Sequence, residues 1–368
     1  MIFKGLLPTE KRPSFLIINP FGIGDVLFST PLIRNIKEYF PDSRIYYLCN
    51  KRAYPVLRFN PLIEKIFIYE RDEFEEIKRV SKLKWVKKGF SFISEIRKEN
   101  INVTIDLSLN SQYGFFSFLA GIRKRVGLDY KRRGCFLTRK IKIEGFESKH
   151  VADYYLDALK LLGIEPKPYN LEVYASKESR EKVDNFLKGK VFREDLVIGI
   201  APCGGKTLDK QAFRKRWPER KFSLLTERII SELGAKIFIF AGPDEAQDVE
   251  RIISNINSDN IFNFTGLGLE EVIALIEKCF LFLGNDSGLL KVANALDKKI
   301  VAIFGPVSEK VYGLYPFKPS QHIILKKDLP CRPCYKQFRL PECPYDIACL
   351  RDITVEEAFS AVSKLISS

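Results

Sequence analysis

Several things that commonly betray a function are scarce in this chain. Among 368 residues there are one methionine, two tryptophans and two histidines. His150 precedes a helical pattern and reads as a packing or capping residue. His322 lies in strand-like sequence and is given no function. No apolar run approaches the ~20 residues needed to span a bilayer, and residues 1–13 lack the apolar core of a signal peptide. The expectation is a chain made and kept in the cytoplasm. A dinucleotide fingerprint is also missing. After Gly22-Ile-Gly24 the third glycine would fall where Leu27 stands, and no acid ends the next strand pattern, which disfavours NAD. No recognised nucleic-acid module and no long basic tail is present, so no nucleic-acid partner is expected.

Positive charge, by contrast, is plentiful: 60 Lys and Arg against 46 Asp and Glu, a net +14. The basic clusters lie in the first half, at Lys84/Lys87/Lys88, Arg97-Lys98, Arg123–Arg125, Lys131–Arg133 and Arg139-Lys140. Such a balance calls for acidic partners. A face aimed at a phosphorylated or membrane-borne substrate fits better than sequence-specific DNA binding. The solvated surface of a Lys-rich protein is the plain alternative for some clusters.

Strand and helix patterns alternate through both halves, which predicts an α/β protein of two Rossmann-like domains. Residues 1–13 read as a tail, 14–170 as the first domain, and 171–350 as the second. A C-terminal helical segment, 351–368, opens on a Thr354/Glu357 capping box and is expected to pack back toward the first domain.

The most informative stretch is 282–306, read as strand, polar turn, helix and strand. Asn285-Asp286-Ser287-Gly288 supplies the turn, and Leu289, Val292, Ala293 and Leu296 share one helical face. The backbone N–H groups at such a helix start suit a diphosphate, and Lys291 would add a full charge. An ordinary helix cap is an equal reading of the same residues. At the opposite end of the chain, Gly22-x-Gly24-Asp25 follows the first strand. Asp25 stands at the mouth of the sheet, where it either acts chemically or caps the helix. The glycines would let a bulky substrate approach the backbone.

The eight cysteines form two groups. Cys49, Cys135, Cys203 and Cys279 are scattered through core-like sequence, whereas Cys331, Cys334, Cys343 and Cys349 have the spacing C-x2-C-x8-C-x5-C. Four thiolates suffice for zinc or an iron–sulfur cluster. The interleaved Pro333, Pro341 and Pro344 instead suggest a structured loop, and no metal is assigned.

Three local patterns together resemble glycosyltransferase family 9, the ADP-heptose:lipopolysaccharide heptosyltransferases. They are Gly22-Ile-Gly24-Asp25-Val-Leu-Phe-Ser-Thr-Pro31, Lys215-Arg216-Trp217-Pro218, and Gly284-Asn-Asp286-Ser-Gly288 with Phe304-Gly-Pro306. The resemblance implies a GT-B fold, an acceptor-binding first domain and a nucleotide-sugar-binding second domain facing each other across a cleft. It further implies inverting, metal-independent and cofactor-free transfer of heptose from ADP-heptose to a lipopolysaccharide inner-core acceptor. The acceptor partner would be an anionic glycolipid at the inner face of the inner membrane, which the enzyme would meet peripherally. By resemblance, Asp25 is the general base, beside an acceptor-side loop containing Gly22 and Gly24. Lys215, Lys291 and the N–H groups of Ser287, Gly288 and Leu289 would stabilise the departing ADP. Asp286 would lie near the donor sugar, and Glu245, or Asp244, would receive the ribose hydroxyls. Many relatives carry His at the position of Lys291, which opens the identity of the donor sugar. The alternatives are a relative using another nucleotide sugar, or a non-catalytic nucleotide-sugar or polyanion binder.

Overall fold

The computed structural model describes residues 12–204 and 212–368, so residues 1–11 of the expected tail and residues 205–211 lie outside the described residues. The chain divides into two compact units, Met1–Glu172 and Val173–Ser368. The first holds β1 (Ser14–Ile18), β2 (Arg44–Cys49), β3 (Lys65–Ile68), β4 (Val103–Asp106), β5 (Lys124–Tyr130) and β6 (Arg139–Ile143). These form one sheet in the order β3-β2-β1-β4-β5-β6, with every pairing parallel. The second unit holds β7 (Val197–Ala201), β8 (Lys236–Ile239), β9 (Ile261–Asn263), β10 (Leu281–Asn285), β11 (Lys299–Ile303) and β12 (His322–Leu325). Its order is β12-β11-β10-β7-β8-β9, again all parallel.

The central strands β1, β7 and β10 are buried along their whole length, as strands covered on both faces must be. Two strands escape the apolar pattern. β5 opens on Lys124 and Arg125, and the edge strand β6 alternates Arg139, Lys140 and Lys142 with apolar residues. Charged side chains on a sheet edge discourage further pairing. Gly127 in β5 is required by a close approach, since a Cβ there would lie 2.1 Å from the carbonyl oxygen of Asp106. The helices Arg71–Val80 and Ser111–Leu119 are also additions to the sequence reading. Pro31 begins a fresh helix, Thr30–Tyr39, rather than kinking a longer one.

Helix Val355–Ser367 belongs to the second unit, where it packs on helix Glu219–Leu233 and on β10–β12. Phe359, Val362 and Leu365 share a core with Ile229, Leu283 and Val301, so burial of that apolar face decides where the helix lies. Its Thr354/Glu357 capping box is formed, with reciprocal bonds of 3.1 and 2.7 Å.

In each sheet the strand order reverses once, between β1 and β4 and between β10 and β7. Open parallel sheets bind ligands in the crevice at the carboxyl ends of such a strand pair. The loops after β1, β4, β7 and β10 are therefore where a site belongs.

Candidate active site

At the first switch point, Asp25 lies in the first turn of helix Ile23–Phe28, directly after β1. Two asparagines fix the loop that presents it. Asn19 Nδ2 donates to the Asp25 carbonyl at 2.9 Å, while its Oδ1 accepts from the Phe21 N–H. Asn50, just after β2, donates to the carbonyls of Pro20 and Phe21 at 2.9 and 2.7 Å. The backbone at Gly22 is ordinary extended chain, so no conformational demand selects glycine there. What it supplies is room: a Cβ would lie 3.7 Å from Asp25 Oδ2. Gly24 sits inside the helix, one residue before Asp25.

Asp106, the last residue of β4, is buried at the same switch point. Burial pushes its carboxyl up to about 6, against the opposing bond from the Ser108 N–H. Nothing in the sequence pattern marked it beyond its place at a strand end.

At the second switch point, Ser287 caps helix Gly288–Ala295, its Oγ accepting from the Leu290 N–H at 3.3 Å. The N–H groups of Gly288 and Leu289 belong to the first turn and have no partner within the helix. Lys291 projects from the next turn. Its side chain is only 3% exposed, its Nζ donates to Asp286 Oδ1 at 2.8 Å, and it lies over the Phe304 ring at 5.0 Å. A buried ammonium needs such a partner, because desolvating it alone would cost several kcal/mol (order of magnitude). Asp286, Ser287, Gly288, Leu289 and Lys291 thus come together at one helix start.

Asn285 ties the neighbouring loops to this point. Its Nδ2 donates to the Pro202 carbonyl after β7, and its Oδ1 accepts from the Trp217 N–H at 2.9 Å. Trp217 is itself buried, with its indole N–H bonded to the Ile353 carbonyl. The loop carrying Lys215 is thereby moored beside β10. Lys215 ends a short 3-10 turn, with its ammonium 5.1 Å from the Tyr335 ring.

Glu245 lies in the loop after β8. It is 3% exposed, one carboxylate oxygen is bound by Arg216 Nη2 at 2.6 Å, and the other accepts from the Gly242 N–H. Arg216 also binds Asp248 at 2.7 Å. So Glu245 and Asp248 share Arg216 in one ion-pair network. Asp244, next to Glu245, is the exposed acid of that loop. Arg216 and Asn285, named in the sequence patterns but given no role of their own there, hold the loops of the second switch point in register.

The four clustered cysteines line one cavity of about 20 Å³ together with Arg214 and Pro306. All are free thiols, and burial raises the thiol pKa of Cys334 and pushes that of Cys349 up to about 11. Among the described residues, no group of three or more His, Cys, Asp or Glu side chains is arranged to hold a metal ion. The segment straps the loop after β11. The N–H groups of Cys334 and Tyr335 donate to the Pro306 carbonyl, and Arg332 donates to the carbonyls of Gly305 and Val307. Gly305 lets Leu350 pack against the same loop, since a Cβ would lie 2.6 Å from the Leu350 side chain.

Comparison with known proteins agrees with this architecture. Residues 90–343 match the model of glycosyltransferase family 9 (heptosyltransferase). Lipopolysaccharide heptosyltransferase 2 of Salmonella typhimurium is 35% identical over 80% of this chain and 83% of its own length. A family 9 glycosyl transferase from Veillonella parvula superposes with a TM-score of 0.77 at 21% identity, covering 97% of this chain and 98% of that one. An E. coli heptosyltransferase solved with ADP gives 0.72 at 15% identity, over 96% and 99% of the two chains. Two doubly wound parallel sheets in one chain, with these neighbours, are the GT-B fold. The chain belongs to glycosyltransferase family 9, the heptosyltransferases, and is a glycosyltransferase.

Proposed function

We propose that this enzyme transfers heptose from ADP-heptose to a lipopolysaccharide inner-core acceptor, with inversion at the anomeric carbon and without a metal or other cofactor. The observation that carries the reading is the Asp286–Lys291 pair at the start of helix Gly288–Ala295. A diphosphate approaching that helix would be repelled by a bare Asp286. Lys291 cancels this charge, leaving the first-turn N–H groups and Lys215 to meet the phosphate oxygens. Asp286, oriented by the same bond, can then accept from a hydroxyl of the donor sugar. These groups supply the positive field that a metal would otherwise provide.

In the reaction proposed, the acceptor hydroxyl oxygen forms a bond to the anomeric carbon on the face opposite the diphosphate. The bond from that carbon to the diphosphate oxygen breaks and its electron pair leaves with ADP. The hydroxyl proton passes to the Asp25 carboxylate. Asn19 and Asn50 hold the loop so that this carboxylate keeps one position. The acceptor is a membrane-borne glycolipid, and the enzyme works peripherally on the cytoplasmic face. The basic first half of the chain supports that part of the reading. No helix among the described residues is long and apolar enough to cross a membrane.

Calorimetric titration with ADP, UDP, GDP and ADP-heptose tests the donor. Preferential binding of the adenine forms, weakened in Lys291→Ala, is the expected outcome. A preference for UDP or GDP would leave the fold standing and sink the heptosyl assignment.

A further inference from the structure

Between β3 and β4 the chain makes a helical hairpin, Arg71–Val80 followed by Lys82–Lys98. Its two arms are held antiparallel by Lys88 to Glu73 at 3.2 Å, Lys88 over the Phe74 ring and Lys78 over the Trp85 ring. Ser81 forms the tip and caps the second arm. Only the far end of that arm is seated on the body of the unit, through buried Ile96 and half-buried Phe92 and Ile93.

The near end is different. Val80, Leu83 and Phe90 are 76%, 79% and 68% exposed, higher than any other large apolar side chain recorded as exposed among the described residues. Leu83, Val86 and Phe90 fall at i, i+3 and i+7, so they form one stripe along the helix. From Ile77 to Ser94 there are six Lys and Arg residues and no Asp or Glu. An apolar stripe carrying Phe and Leu, bordered by lysines and free of acids, is the composition of a helix that lies in the plane of a bilayer surface.

Its place in the fold agrees. The second arm leads into the start of β4, so its own beginning lies toward the carboxyl edge of the sheet, where the Asp25 loop follows β1. A 17-residue helix is about 25 Å long, whereas a four-residue strand spans about 13 Å. The exposed half therefore reaches past that edge on the side of the acceptor loop.

We propose that the tip of this hairpin is a membrane-docking surface, with Val80, Leu83, Val86 and Phe90 entering the headgroup region and the flanking lysines meeting anionic lipid. The proposal rests on the reading above that the acceptor is carried by a membrane. The acids of the hairpin sit on the first arm, where Glu73 pairs with Lys88, and at Glu95 toward the seated end of the second. The absence of acids from Ile77 to Ser94 leaves the tip with an excess of positive charge that favours a lipid surface over an apolar protein groove.

Flotation of the full-length protein with vesicles tests it, using phosphatidylcholine alone or with roughly one-third phosphatidylglycerol. The expected result is binding to the anionic vesicles only, weakened about tenfold in Leu83→Ser/Phe90→Ser and about tenfold in Lys84→Gln/Lys87→Gln. Both double variants alter exposed side chains, and unchanged thermal melts establish that they fold. Turnover on a delipidated, soluble acceptor should match the wild type in each, which separates this surface from the chemistry. Absence of vesicle binding, or binding that both variants retain, overturns the proposal. So does wild-type self-association in sedimentation that Leu83→Ser/Phe90→Ser abolishes, because the stripe would then be an interface between copies.

Discussion

At the first switch point the side chains brought together are acids and amides, namely Asp25 and Asp106 with Asn19 and Asn50. At the second they are cations held by acids: Lys291 on Asp286, and Arg216 on Glu245 and Asp248. The topology of the two sheets is the same, so topology alone assigns neither role. Charge does. A crevice whose cations are already paired and oriented can receive an anion with little reorganisation. A carboxylate on a loop pinned by two asparagines is suited to taking a proton. Even the secondary carboxylates differ in sign. Burial raises the pKa of Asp106, whereas for Asp248 burial is outweighed by bonds from Arg216 and Arg251, which hold it below the usual carboxylate range.

If the division of labour is real, each switch point should fail in its own way. Asp25→Asn is expected to lower turnover by about 10³-fold, with ADP affinity unchanged in calorimetry. Equal losses of turnover and ADP binding would erase the contrast. Lys291→Met should do the reverse. ADP binding should weaken strongly, and the stranded Asp286 should lower stability by about 3 kcal/mol in denaturant melts. Adding Asp286→Asn should restore the stability without restoring the binding.

The pH dependence separates the two kinds of carboxylate. Because the Asp106 pKa is raised in the folded state, its contribution to stability is full below its unfolded value of 3.8 and is lost as pH climbs through about 6. Asp106→Asn imitates the protonated form and keeps the bond from Ser108. It should be more stable than wild type at neutral pH, by at most about 3 kcal/mol, and the difference should vanish toward pH ~4. Asp248 is depressed, so its contribution is present above the unfolded value and lost as pH falls through the lower folded one. Asp248→Asn should therefore remove part of the loss on the acid side. Melting temperatures across that range check both signs.

Much of this was legible in the residues, for a physical reason. β1, β7, β10 and β11 are short apolar runs that end in Gly-, Asn- or Asp-rich turns, and the loops with recognisable spacing follow them. β5 and β6 were not legible, because Lys and Arg at their starts and edges read as surface charge. The helix Arg71–Val80 buries only Phe74, too little for a face to show. At the site, helix-start residues announce themselves by local order, whereas an ion pair does not. The Glu245–Arg216 pair was not legible because the two stand 29 residues apart in sequence. Asn19 and Asn285 follow or end central strands in the two units and perform the same mooring, yet a single asparagine carries no periodicity.

The smallest expected effect tests how the Asp25 helix is seated. His150 caps helix Val151–Lys160 through Nδ1, which accepts from the Ala152 N–H at 3.1 Å. Its ring meets Phe28, the last residue of the Asp25 helix, edge to face at 4.7 Å. His150→Ala removes both contacts and should cost about 1 kcal/mol for the cap, with a further small loss for the ring contact. His150→Asn restores the cap alone. If the ring contact positions Asp25, both variants should lower kcat a few-fold while only the alanine lowers stability appreciably. If the second unit binds the donor as proposed, ADP affinity should be the same in both. A shift in ADP affinity would show that the two switch points are not independent, and would break the comparison at its base.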